Sequence, residues 1–100
     1  MRLDPEKRTD ELIEVALKLA AAEGWRKLTH AAVARAAGVS QGLVVARLGT
    51  MDQVRRAVMR AAVRQRIVSV VAEGLAVRDK HAAKADEELR ALAAEWVRAG

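Results

Sequence analysis

The chain has 100 residues, a length that suits one domain, and 52% of them are hydrophobic, with two tryptophans as the only aromatic residues. It has no cysteine, which excludes disulfides and thiolate metal sites, and no apolar run near the roughly 20 residues that a membrane-spanning helix needs. The charged N-terminus is unlike a secretory signal, so we expect a cytoplasmic protein that does not bind membranes.

The net charge of +5 is concentrated in the middle of the chain. Residues 24–66 carry nine basic side chains and only Asp52 as an acidic one, whereas residues 1–23 and 67–100 are mildly acidic. A basic block between two acidic ones indicates contact with a polyanion. On charge alone, a solvated surface is an equal alternative.

The first predicted helix spans residues 5–23. Asp4 and Pro5 supply an N-cap and a proline at the first helical position, and Gly24 suits a left-handed residue just past the C-terminus. Apolar residues at helical spacing predict one buried stripe, formed by Ile13, Ala16, Leu17 and Ala20.

Two short helices are predicted over residues 30–37 and 41–48. Thr29 and Ser40 are suitable N-caps, and Gly38 and Gly49 follow the last helical residues. Each helix is too short to be stable alone, so together they predict a helix-turn-helix packed on the first helix. Their inward-facing apolar residues are Val33, Ala37, Val44 and Leu48.

Two longer helices complete the prediction. Thr50-Met-Asp-Gln53 matches a capping box and predicts a fourth helix over residues 51–73 that ends before Gly74. Asp79 caps a fifth helix over residues 80–98. No strand pattern competes, so the expected fold is all-α, with five helices in one compact domain.

A helix-turn-helix binds DNA by laying its second helix in the major groove. Among the outward positions of residues 41–48, Gln41 suits adenine or a phosphate, and Arg47 suits guanine or a phosphate. Leu43 and Val45 can only pack on thymine methyls or sugars, and Gly42 permits close approach of the backbone. Hydroxyls at helix N-termini, those of Thr29 and Thr50, can reach phosphate oxygens.

Residues 11–58 resemble the N-terminal DNA-binding domain of TetR-family repressors. The resemblance is carried by Gly24-Trp25, Leu28-Thr29, the turn "VARAAGVSQG" and the segment "LGTMDQV". It implies a homeodomain-like helix-turn-helix region over residues 1–58 that binds double-stranded DNA. The positions that it places at or near DNA are Thr29, Ser40, Gln41, Gly42, Leu43, Val45, Ala46, Arg47 and Thr50.

The sequence departs from this family in three places. Family members usually carry aromatic residues or histidine where this chain has Val45 and Ala46, and a phosphate-binding lysine where it has Met51. They are also about twice as long, with a C-terminal domain that binds an inducer. We therefore expect a weaker phosphate clamp, a different base readout and no small-molecule inducer.

Residues 59–100 carry more apolar residues than one helix pair buries. We predict that helices 4 and 5 of two chains form a dimeric four-helix bundle, which would suit a two-fold symmetric DNA site. A monomer in which these residues cover the first helix is the alternative. The predicted interface consists of Ile67, Val68, Val71, Leu89, Leu92 and Trp96.

The sequence thus predicts a repressor that requires no cofactor or metal and is not an enzyme, since no phosphate-binding loop, ligand set or catalytic triad is present. The alternative function is an interaction module that binds an acidic protein. Arg56, Arg60 and Arg64 repel one another along one helix face, so they are solvated, paired with acidic residues of the fifth helix, or bound to an anionic partner.

Overall fold

The computed structural model describes residues 5–99, and Asp4, the expected cap of the first helix, lies outside them. Over this range all the regular secondary structure is helical, as predicted, with no strand. The first three helices have the expected bounds. They are α1 (Pro5–Glu23), α2 (His30–Ala37) and α3 (Gln41–Leu48), with a 3₁₀ turn at Trp25–Lys27.

Gly24 separates α1 from the 3₁₀ turn. Its φ of 116° is rarely accessible to a residue with a side chain, but its ψ of 132° differs from the left-handed helical conformation that we predicted. The amide of Gly24 donates to the carbonyl of Ala20 at 2.8 Å, which closes the last turn of α1. The prediction that a glycine ends α1 is therefore confirmed, but the left-handed helical conformation predicted for it is wrong.

The fourth helix is shorter than predicted, because α4 (Met51–Gln65) ends at Arg66 instead of continuing to residue 73. Arg66 adopts a left-handed conformation, with a φ of 58°, and its amide donates to the carbonyls of Ala62 and Val63. Its guanidinium binds Asp86 at 2.7 Å, so a long-range ion pair accompanies the break. The chain then turns into α5 (Val68–Ala76).

Gly74 lies inside α5 and does not end a helix, contrary to the prediction. A Cβ atom at this position would lie 2.5 Å from Met59 Cε and 2.8 Å from Ala82 Cβ. The glycine is therefore needed for the close approach of α4 and the next helix, α6 (Lys80–Ala83), to the backbone of α5.

The fifth predicted helix, over residues 80–98, is two helices, α6 and α7 (Glu87–Ala99). Asp79 caps α6 as predicted, since its side chain accepts from the amides of His81 and Ala82. Asp86 then begins α7 by accepting from the amide of Leu89 at 2.7 Å. The Leu89 amide, together with Arg66, holds the pKa of Asp86 below its ordinary value.

One apolar core joins the two halves of the chain. α1 packs against α2, α3 and α4, while α5 packs mainly against α7, and their buried residues form a single cluster. Glu73 on α5 accepts hydrogen bonds from the amides of Trp25 at 2.7 Å and Arg26 at 2.9 Å. The Trp25 indole in turn donates to the carbonyl of Arg55 on α4 at 3.0 Å. These contacts tie the helix-turn-helix to the C-terminal helices.

Candidate nucleic-acid interface

The turn between α2 and α3 has the geometry of a helix-turn-helix. Gly38 is left-handed, with a φ of 70° and a ψ of 33°, and Val39 packs half-buried against the core. The amide of Val39 donates to the carbonyl of Ala34 at 3.0 Å, and the Ser40 hydroxyl accepts from the amide of Leu43 at 3.1 Å. The predicted roles of Gly38 and Ser40 are therefore confirmed.

Only two residues anchor α3 in the core, Val44 and Leu48, and the remaining positions face outward or sideways. Leu43 is half-buried, while the other predicted DNA-contacting residues are exposed. They are Thr29, Ser40, Gln41, Gly42, Val45, Ala46, Arg47 and Thr50. The structure therefore gathers the predicted residues on one accessible surface around α3.

Three hydroxyls at this surface cap helices. Thr29 accepts from the amide of Ala32 at 3.0 Å, and Thr50 accepts from the amide of Gln53 at 3.2 Å. The Gln53 side chain accepts from the amide of Thr50 at 2.9 Å, which completes the predicted capping box. In each of these bonds, as in that of Ser40, the hydroxyl oxygen is the acceptor. Its own proton therefore remains available for a phosphate oxygen.

His30 fixes the far end of α3, a role that the sequence did not reveal. Its Nε2 atom lies 2.7 Å from the carbonyl oxygen of Gly49. Because a carbonyl only accepts, Nε2 carries the proton and donates it. The bond spans 19 residues, so no local pattern could have indicated it.

Several arginines beside α3 have no acidic partner in the described part of the chain. The side chains of Arg26, Arg55 and Arg66 form ion pairs, but Arg56 and Arg60 on the outer face of α4 form none. The acidic residues of the last helix region bind Arg66 and do not reach this face. Neutralisation of the arginine stripe by those acidic residues, one of the three interpretations above, is therefore wrong.

The predicted interface residues do not all lie on the surface. Val71 and Leu89 are 0% and 1% exposed, so they belong to the protomer's own core, and their assignment to an interface is corrected. Ile67 and Val68 are half-buried against that core. The exposed members are on α7, where Trp96 is 56% and Leu92 41% exposed, beside Val97, which the prediction left out of the interface.

The arginine face of α4 also changes the predicted bundle. Its buried residues face α1, α5 and α6 and its outward face is basic, so α4 presents no apolar stripe to a second chain. Among the described residues of the C-terminal half, most of the large exposed apolar side chains are on α7. Val68, Leu92 and Trp96 line a groove of about 340 Å³ beside that helix.

Two short helices joined by a tight turn, with the second exposed on its outer face, are the arrangement of helix-turn-helix DNA-binding proteins. Residues 12–58 match the family model described as "Bacterial regulatory proteins, tetR family". The match identifies the N-terminal half of the chain as a helix-turn-helix domain of the TetR family of DNA-binding transcription regulators. A search of curated proteins and a search of solved structures found no match.

Two further findings concern the described residues only. No helix there is long and apolar enough to cross a membrane. Within the same range, no group of histidine and acidic side chains is arranged to hold a metal ion.

Proposed function

We propose that this protein binds a specific, two-fold symmetric DNA site as a homodimer and represses transcription by occupying a promoter. The observation that carries the proposal is the outer surface of α3. Two residues fix this helix in the core, and its other side chains are free for contact. A helix exposed in this way contributes little to the core and is suited to the major groove.

The readout follows from the side chains on that surface. Gln41, in the first turn of α3, would bond adenine, and Arg47, in the last turn, would bond guanine or a phosphate. Val45 and Ala46 offer only apolar contact, which suits thymine methyl groups. The hydroxyls of Thr29 and Thr50 would orient the domain on the phosphate backbone.

Dimerisation would use α7. Leu92 and Trp96 expose large apolar surfaces that water solvates poorly, and Val68 extends the same patch. A second copy would cover this patch and place two α3 helices in successive major grooves. This binding would not depend on a small-molecule inducer.

The test begins with selection of bound duplexes from a random pool, followed by titration with the selected sequence. The selected duplex should bind about 10³-fold or more tightly than a random one. Arg47→Ala should cost about 1–3 kcal/mol of binding free energy, whereas Arg98→Ala on α7 should change it little. No detectable binding of any duplex at low salt would refute the proposal.

The dimer is tested separately by sedimentation equilibrium at micromolar concentration. Wild type should sediment as a dimer, and Trp96→Ala should shift it towards monomer because the largest exposed apolar side chain is lost. Arg98→Ala, on the same helix, is the matched control. A monomeric wild type would remove the dimer from the proposal.

An interaction module for an acidic protein is the second candidate. The unpaired arginines of α4 favour it, as does a surface of α3 that offers only one amide and one guanidinium for bases. Salt discriminates the two, since DNA affinity should fall linearly with salt on a log–log plot. We place DNA first because the exposed helix and its three capping hydroxyls form one surface.

A further inference from the structure

A groove beside the helix-turn-helix is lined by three arginines from two helices. Arg47 reaches it from α3, and Arg56 and Arg60 reach it from α4, while residues of α1 close the other side. Its volume is about 450 Å³. No carboxylate among the side chains that the structure describes lines it. The groove therefore brings together cations that are separated by up to 13 positions in the sequence.

No described carboxylate neutralises these three guanidiniums. None of the three forms a hydrogen bond or an ion pair with another described residue, and all three side chains are exposed. Arg56 and Arg60 are one helical turn apart, so they repel each other. An anion between them would remove that repulsion and accept bidentate bonds from the planar guanidiniums, the geometry that phosphate favours.

The groove also contains an amide donor that the fold fixes in place. Gln53 lines it, and the Oε1 atom of Gln53 is held by the amide of Thr50. Its Nε2 atom keeps two N–H groups that no described residue accepts. The capping box thus leaves a neutral donor next to the three cations.

The groove lies next to the predicted DNA-contacting surface, because Arg47 belongs to both the groove and that surface. Arg47 lies in the last turn of α3, and α4 starts only three residues after α3 ends. Helical side chains lean towards the N-terminus of their helix, so Arg56 and Arg60 lean towards that junction. A strand of DNA that leaves the major groove at the end of α3 would pass this face.

We propose that the groove between α1, α3 and α4 binds phosphate groups of the DNA backbone that flanks the site read by α3. This proposal rests on the proposed function, since it requires α3 to lie in the major groove. Arg56 and Arg60 are the new contacts. They supply sequence-independent affinity at a place where no base can be read.

The test compares the salt dependence of DNA binding for wild type and the double variant Arg56→Gln/Arg60→Gln. Both positions are exposed, so circular dichroism and the thermal midpoint should confirm an intact fold. Removing two phosphate contacts should lower the slope of log K against log[salt] by about 1.8. At 0.1 M salt this corresponds to a loss of roughly 10- to 60-fold in affinity, with the same preferred sequence.

The matched control is Arg90→Gln/Arg98→Gln on α7, which removes the same charge from another part of the molecule. Its salt slope should stay within the error of wild type. A second arm shortens the duplex to the core of the selected site. Wild type should then lose affinity, and the double variant should lose little, because its flanking contacts are already gone.

The outcomes separate the groove from the function on which it rests. If wild type binds DNA and the double variant has an unchanged slope, the groove proposal is wrong and the proposed function stands. If wild type binds no duplex, both are wrong. Calorimetry with pyrophosphate tests a free anion as the other source of phosphate. Saturable binding that needs Arg56 and Arg60, combined with an unchanged DNA slope, would assign the groove to a small anion instead.

Discussion

Replacing Glu73 tests how firmly the helix-turn-helix is fixed to the C-terminal helices. Its carboxylate accepts two backbone N–H bonds at the start of the 3₁₀ turn, and the Arg26 Nε atom lies 3.3 Å away. Glu73→Ala would leave both amides without this acceptor. Bonds to a charged group contribute about 1.5–3 kcal/mol each. Water can reach part of this site, because the Glu73 side chain is 21% exposed.

We therefore expect Glu73→Ala to lower the free energy of unfolding by about 2–4 kcal/mol. With a urea m-value of about 1.5 kcal/mol/M, the denaturation midpoint should fall by roughly 1.3–2.7 M. Glu11→Ala, at an exposed position of α1, is the control and should change the free energy of unfolding by less than about 0.5 kcal/mol. A change that small in Glu73→Ala would refute the role given to these bonds.

The same carboxylate predicts a pH dependence. Burial raises the pKa of Glu73, but hydrogen bonds from the amides of Arg26 and Trp25 and the charge of Arg26 outweigh it and lower the pKa below the ordinary 4.5. Because the pKa of Glu73 is lower in the folded state, its carboxylate contributes its full stabilisation above the pKa that it has in the unfolded chain. This stabilisation is lost as pH falls through the pKa of the folded state. The stability difference between wild type and Glu73→Gln should therefore shrink on acidification below about pH 5. A difference that is constant from pH 7 to pH 3 would contradict this.

Two glycine substitutions should have contrasting effects. Gly42→Ala should raise the free energy of unfolding by about 0.5–1 kcal/mol, because alanine favours the helix and its Cβ would meet only Ser40 Oγ, at 4.0 Å. The same change should weaken DNA binding in titrations, since the methyl group lies on the surface that faces DNA; equal or tighter binding would exclude close approach at this residue. Gly74→Ala should lower the free energy of unfolding by about 1–3 kcal/mol in urea denaturation, because its Cβ would collide with Met59 and Ala82. An unchanged denaturation midpoint would show that those side chains can move aside at no cost.

The helix-turn-helix was predictable because its signals are local. Thr29, Ser40 and Thr50 cap the helices that follow them, and Gly38 and Gly49 have the positive φ that ends the helices before them. Capping depends on residues within one turn, so sequence spacing is sufficient to locate these ends. The apolar stripes then fix which face of each helix is buried.

The C-terminal helices were harder to predict because their ends depend on tertiary contacts. Gly74 has the residue type of a helix stop, yet it is enclosed by α4 and α6. Arg66 has no turn-forming side chain, yet its ion pair with Asp86 and its left-handed conformation mark the real break. The partners in these contacts are about 8 to 20 residues away, so no short window contains both of them.

The same limit applies to parts of the candidate site. The outward residues of α3 follow from helical periodicity, whereas the His30–Gly49 bond and the groove shared by Arg47 and Arg60 require the packing of separate helices. For Val71 and Leu89 the sequence instead suggested a contact that the structure does not have. Their apolar side chains suggested an interface, but the protomer buries them itself.

The way in which α3 is anchored separates folding from recognition. Val44 and Leu48 alone attach the helix to the core, while Gly38 and Gly49 bound it on either side. Residues 41, 45, 46 and 47 are exposed, so they can change with little loss of buried area and new DNA preferences need not compromise stability. Such a domain is a favourable starting point for engineered specificity, because a library at those four positions would mostly contain folded proteins.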